Sequence, residues 1–125
     1  MLMIKMMLIA GAGGFVGTCC RYLVARWCAM LFSGSWPLGT FLVNIVGCFV
    51  FGVLLGLFEK TQTVSTTESL LLVTGFCGGF TTFSAFAGEV CLLGDKGQFV
   101  TSLVYLLASV AIGVIMVIAG RALIR

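Results

Sequence analysis

Four long apolar stretches, parted only by short polar breaks, take up almost all of this 125-residue chain. A hydrocarbon core about 30 Å thick is crossed by roughly 20 helical residues. The stretches at about 3–30, 38–58, 69–93 and 99–120 are each long enough to span one, and little chain is left over. With 61% hydrophobic and 9% charged residues, and a mean hydropathy of +1.23, the polar surface is far too small to clothe a soluble globule. The chain therefore reads as an all-α, multi-pass membrane protein: one domain, 1–125, of four transmembrane helices. Its surroundings are the lipid bilayer, and no nucleic acid is expected as a partner. Lys5 followed by an apolar run superficially resembles a secretory signal, but the run continues to Cys20 and is read as the first membrane helix.

The breaks between spans carry recognisable signals. Ser35-Trp36-Pro37 reads as a helix start, because proline suits the first helical position and tryptophan the membrane interface. The segment 59–68 is a threonine-rich polar loop, and Gly94-Asp95-Lys96-Gly97 is a turn. Small residues four apart, at Gly13 and Gly17, Gly52 and Gly56, and Gly75 and Gly79, predict close helix contacts.

Charge gives only a weak orientation. Lys5, Lys60, Arg121 and Arg125 fall on one side of the membrane; Lys96, Arg21 and Arg26 fall on or approach the other. Four against three is a small bias under the positive-inside rule. Either that bias fixes one orientation, or the chain inserts both ways and pairs with an inverted copy of itself.

Catalysis fits poorly. The chain has no histidine, no paired membrane carboxylates and no serine with a candidate base, so it is not expected to be an enzyme. Its six cysteines form no C-x-x-C pair and are read as small hydrophobes in packed spans. Of the four acids, Glu59, Glu68 and Asp95 lie in or beside loops; Glu89 lies toward the end of the third span, with no carboxylate evident at the midplane.

The polar residues within the spans are instead mostly uncharged donors. Asn44, in the middle of span two, is expensive in a bilayer unless it meets an interhelical partner or a permeant species. Thr40 lies one turn before it, and Tyr105 and Ser109 lie one turn apart on span four, giving two short polar stripes that suit an anion path. In span three, Phe76, Phe80, Phe83 and Phe86 share roughly one helix side. Such a stripe serves either as core or, with rings turned edge-on, as a weak electropositive solvation shell for a small anion. The glycines and hydroxyls among them, from Gly75 to Ser84, loosen the span where leucines would be expected. A break at Gly78-Gly79 would free backbone carbonyls for a monovalent cation, and an inverted dimer would bring two breaks together.

Three motifs carry a resemblance that covers essentially the whole chain: Gly14-x-x-Gly17-x-x-x-Arg21-Tyr22, Pro37-x-Gly39-Thr40-x-x-x-Asn44-x-x-Gly47, and the run Gly75-Phe76-Cys77-Gly78-Gly79-Phe80-Thr81-Thr82-Phe83-Ser84-Ala85-Phe86. Together they resemble the small dual-topology fluoride channels known as Fluc or CrcB. The resemblance implies an antiparallel homodimer with a broken third helix, two fluoride pores and a structural sodium ion at its centre. It also implies passive fluoride export across the cell's inner membrane. Gly78 and Thr81 match the positions whose backbone carbonyls hold the sodium. Phe83 and Phe86 match the paired pore phenylalanines, Asn44 the pore asparagine and Ser84 the hydroxyl between the phenylalanines. Thr40, Tyr105 and Ser109 match other polar pore or vestibule positions, and Arg21 matches an arginine near the aqueous mouth. Two positions depart from the pattern: Ala85 stands where threonine is common, and Gly113 where a serine often lies. The rival architecture is a small four-helix, proton-coupled multidrug exporter, which requires a membrane glutamate in span one; this chain has none there.

Overall fold

The structure, a computed structural model, describes residues 1–32, 34 and 36–125. Ser35, the first residue of the expected Ser35-Trp36-Pro37 start signal, lies outside the described residues. Four helical segments are long and apolar enough to cross a membrane, and the described residues contain no strand. Helix α1 spans Leu2–Leu31 and α2 spans Leu38–Thr61. Pro37 precedes α2 at its cap instead of occupying its first turn, because the Leu38 N–H donates to the Trp36 carbonyl at 2.8 Å.

The third crossing is a composite. It opens with a short helix α3, Thr66–Ser69, whose cap Ser65 accepts the Glu68 N–H at 3.1 Å through its hydroxyl. A π-helical stretch, Leu70–Cys77, follows, and then a single turn, α4, Gly78–Phe80. Helix α5 resumes at Phe83 and runs to Asp95. The turn at Gly94–Gly97 closes with an N–H to carbonyl bond of 3.0 Å; Gly97 takes a positive φ of 77° that side chains disfavour. Helix α6, Phe99–Ile124, completes the chain.

The helices form two parallel pairs. Arg121 near the end of α6 pairs with Glu59 near the end of α2 at 2.9 Å, so these two helices run the same way. Small residues allow their backbones to meet: a Cβ on Gly52 would strike the Val117 carbonyl, and one on Gly120 the Phe49 carbonyl. Helix α1 runs alongside the third crossing in the same manner. A Cβ on Gly13 or Gly17 would strike the carbonyls of Leu71 or Phe76, and one on Gly75 would lie 2.9 Å from Gly13 Cα. The expected glycine pairs are thus contact surfaces where backbones approach without side chains between them.

Little of this single chain is enclosed. Phe15, Trp27, Leu107 and Ile118 are among many large apolar residues left exposed, as befits helices solvated by lipid. The enclosed core is small and largely aromatic: Phe86, Leu93 and Tyr105 are buried, with Trp36, Phe41, Val90 and Leu106 packed around them.

Candidate functional site

The interruption of the third crossing falls at Thr81-Thr82, not at Gly78-Gly79 as expected from the glycines. Gly78 is helical, with φ −62° and ψ −39°, whereas Thr81 (−90°, 159°) and Thr82 (−149°, 120°) are extended. The physical reason lies in what each residue type contributes. Gly79 is needed for contact, since a Cβ there would sit 3.0 Å from Gly14 Cα. The two β-branched threonines accept extended backbone readily, and their hydroxyls bond locally. Thr81 Oγ1 donates to the Cys77 carbonyl at 2.8 Å, and Thr82 Oγ1 accepts the Ala85 N–H at 3.3 Å, capping α5.

Asn44 holds this interruption. Its Nδ2 donates to the Thr82 carbonyl at 3.0 Å, and its Oδ1 accepts the Thr82 N–H at 2.8 Å. The side-chain amide thus pairs with one residue's backbone as a neighbouring strand would. The interhelical alternative read from the sequence for Asn44 is present here, with both ends of the amide engaged. From the other flank, Arg21 Nε donates to the Gly79 carbonyl at 2.9 Å. Arg21 therefore lies at the interruption in the interior of α1, and a bilayer tolerates its charge there because the guanidinium faces protein.

Two cavities adjoin the aromatic core, one lined in part by Phe86 and the other by Trp36. The first, about 450 Å³, is lined by Asn44, Gly78, Thr81, Thr82, Phe83, Phe86 and Ser109 together with apolar neighbours. Phe83 and Phe86 stand 5.8 Å apart between ring centres, inclined at 57°. Phe86 turns edge-on to Tyr105 at 5.1 Å and 67°. Tyr105 is fully enclosed, and its hydroxyl donates to Glu89 Oε1 at 3.1 Å. Glu89 Oε2 accepts from Thr40 Oγ1 at 3.0 Å, and Thr40 and Glu89 line the second cavity, about 430 Å³, with Trp36 and Pro37.

Phe83, Phe86, Asn44 and Ser109 are brought together in one cavity with Gly78 and Thr81; Thr40 lies in the other, and Tyr105 bridges toward it. Ser84 is exposed and lines neither cavity. Ser109 Oγ is enclosed without a partner, and Phe83 is 77% exposed despite facing the first cavity.

Glu89 is the residue that sequence reasoning left without a role. The signal for it was spacing: it follows Phe86 by three residues and so shares a helix face with a residue already singled out. Chemically, the first cavity offers the unpartnered Ser109 hydroxyl, ring edges and the N-terminus of α5, a set that favours negative charge without a fixed cation, whereas the Thr40 and Tyr105 hydroxyls are already committed to Glu89.

Comparison with known proteins agrees along nearly the whole length. Residues 8–121 match the family described as CrcB-like protein, Camphor Resistance (CrcB). A protein of Rhizobium johnstonii named fluoride-specific ion channel FluC is 44% identical over 123 residues, covering 98% of each chain. Proteins of the same name from Prosthecochloris aestuarii and Chloroflexus aurantiacus are 41% and 42% identical, covering 94% and 90% of this chain and 91% and 90% of their own. A match of this extent, on a four-helix membrane architecture with an interrupted third crossing, makes the chain a member of the CrcB family.

Proposed function

We propose that this protein is a passive, fluoride-selective channel that lowers cytoplasmic fluoride by letting the anion leave across the inner membrane. The observation that carries this reading is the placement of Phe83 and Phe86 on the first turn of α5, lining one cavity beside the Asn44-held interruption. Fluoride enters a cell as the neutral acid and ionises at the higher internal pH, so a passive route suffices for export. A negative-inside potential drives the anion outward by about 2.3 kcal/mol per 100 mV.

A small, strongly hydrated anion must exchange water for other donors. Ring edges of Phe83 and Phe86 attract it weakly enough to release it, and the N-terminus of α5 adds partial positive charge at the same depth. Asn44 fixes the backbone from which both rings project; Ser109, with its hydroxyl unpartnered, offers a donor in the cavity wall. Tyr105 and Thr40 extend the polar lining toward the second cavity, and either hydroxyl would have to leave Glu89 to donate to the anion. Ser84 contributes from an exposed position that a second subunit would cover, and Arg21 adds positive potential beside the interruption.

The working unit in this reading is an antiparallel homodimer. It is supported by the even charge balance and by Phe83, a cavity-lining ring too exposed in one chain to form a closed path. A structural sodium ion at the centre of that dimer would be held by the Gly78 and Thr81 carbonyls. Their fit to a cation rests on the interruption itself: the Thr82 N–H that would bond the Gly78 carbonyl in a continuous helix goes to Asn44 instead. Bound there, the ion would offset the dipoles of carbonyls that lack amide donors.

Fluoride efflux from liposomes tests the function. Passive, sodium-requiring fluoride leak without a pH gradient is expected, with chloride excluded. Proton-coupled export of organic cations, or no flux, would overturn it.

A further inference from the structure

We infer that Arg21 is a positioning residue for the central cation: by occupying the Gly79 carbonyl, it decides which carbonyls of the interruption remain for the ion. The inference rests on the sodium proposed above. Interrupting a helix frees consecutive carbonyls from their amide donors, and here two neighbours are treated differently. The Gly79 carbonyl receives Arg21 Nε at 2.9 Å, whereas the Thr82 N–H that Gly78 would use is drawn away by Asn44 at 2.8 Å. Two side chains from two different helices, α1 and α2, thus act on opposite sides of one turn.

The partner chosen by Arg21 is informative. Among the described residues the ion pairs involve Arg121 and Arg125 with Glu59, and no carboxylate lies within ion-pair distance of Arg21. A guanidinium within an apolar span, bonded to a carbonyl and not to an acid, has been placed for that carbonyl. The bond also fixes the peptide plane after Gly79. Glycine offers little steric resistance to rotation, so the plane after Gly79 depends on this bond, and with it the single turn Gly78–Phe80 that bears the Gly78 carbonyl. Without Arg21, the Gly79 carbonyl would be free to turn toward the ion or away from it, and the geometry of the Gly78 and Thr81 pair would be lost.

The test reads sodium binding apart from flux. Thermal unfolding of the purified full-length protein is followed while sodium replaces N-methylglucamine at constant ionic strength. For the unaltered protein, unfolding temperature should rise with sodium. Arg21→Met should raise the sodium concentration at half-effect by about tenfold, the scale of one charge-assisted hydrogen bond. Arg21→Lys, which retains a charged donor of different shape, should remain within about threefold. If Arg21→Met gives no stable protein, Arg21→Gln, a shorter neutral donor, serves in its place and should fall between the two. A half-effect concentration unchanged in the Met or Gln variant overturns this inference alone. No sodium dependence in the unaltered protein removes the proposed ion itself, and this inference with it.

Discussion

The seam between α2 and α6 and the junction of α1 with the third crossing are both parallel helix pairs built on glycine, yet they handle their backbones differently. Along the first seam, Gly52, Gly56 and Gly120 let two uninterrupted helices meet, and every crossing carbonyl keeps its place in a helix. Along the second, Gly13, Gly17, Gly75 and Gly79 give equally close approach, but the partner helix changes from π-helical to α and then opens at Thr81-Thr82. Arg21 and Asn44 then supply the hydrogen bonds that the helix no longer makes. Close packing in a membrane therefore does not itself make a site. The site arises where close packing holds a backbone that is no longer self-sufficient.

The sharpest way to break this contrast is to add bulk to the uninterrupted seam. A side chain at Gly120 would meet the Phe49 carbonyl and lie 2.9 Å from the Val53 nitrogen, both backbone atoms that cannot swing aside. Gly120→Leu should cost about 3 kcal/mol or more, seen as loss of monodisperse, thermally stable protein before any question of transport arises. Next in size is Asn44→Ala. It leaves the Thr82 N–H without its acceptor, a cost of about 1 kcal/mol or somewhat more for a half-buried donor. Lower unfolding temperature together with loss of fluoride flux is expected; intact flux would show that the interruption holds without its clamp. Phe83→Ile should separate the two regions most cleanly. The ring is largely exposed in the single chain, so stability should change by less than about 1 kcal/mol. Fluoride efflux should nevertheless fall sharply, because bulk remains while the electropositive edge is gone. Flux at the original rate would sink the ring-edge role.

How much of this was legible beforehand depended on the kind of signal. The four crossings follow from apolar length, and the glycine pairs from spacing, because a bilayer leaves few other options for such stretches. The site of the interruption was displaced by three residues from Gly78-Gly79 to Thr81-Thr82. Glycine content measures the ability to bend, whereas the bend falls where Asn44 can accept and donate to the released backbone. That pairing joins residues 38 apart and is invisible to local reading. The linkage of Glu89 to both Thr40 and Tyr105 was missed for a related reason: an acid near the end of a span reads as solvated until the neighbouring helices are in place. Likewise the engagement of Arg21 with Gly79 depends on the register between α1 and the third crossing, which the glycine spacing suggests without fixing.

The smallest effect on stability is also the most discriminating. Ser109 belongs to α6, on the sound side of the contrast, yet it lines the same cavity as the interruption. Its Oγ is enclosed and makes no hydrogen bond, so it contributes nothing to the fold that would offset its desolvation. Removing it should leave stability unchanged or raise it slightly, by less than about 1 kcal/mol. A hydroxyl kept only for packing would then be dispensable in every assay. A hydroxyl that replaces water around fluoride would not be: Ser109→Ala should lower the fluoride efflux rate several-fold at unaltered unfolding temperature, a combination that a structural role does not produce. Equal efflux in the two proteins would confine the conducting surface to α5 and α2 and leave α6 a supporting helix; a lowered unfolding temperature would mean that the hydroxyl is bonded after all, within the seam.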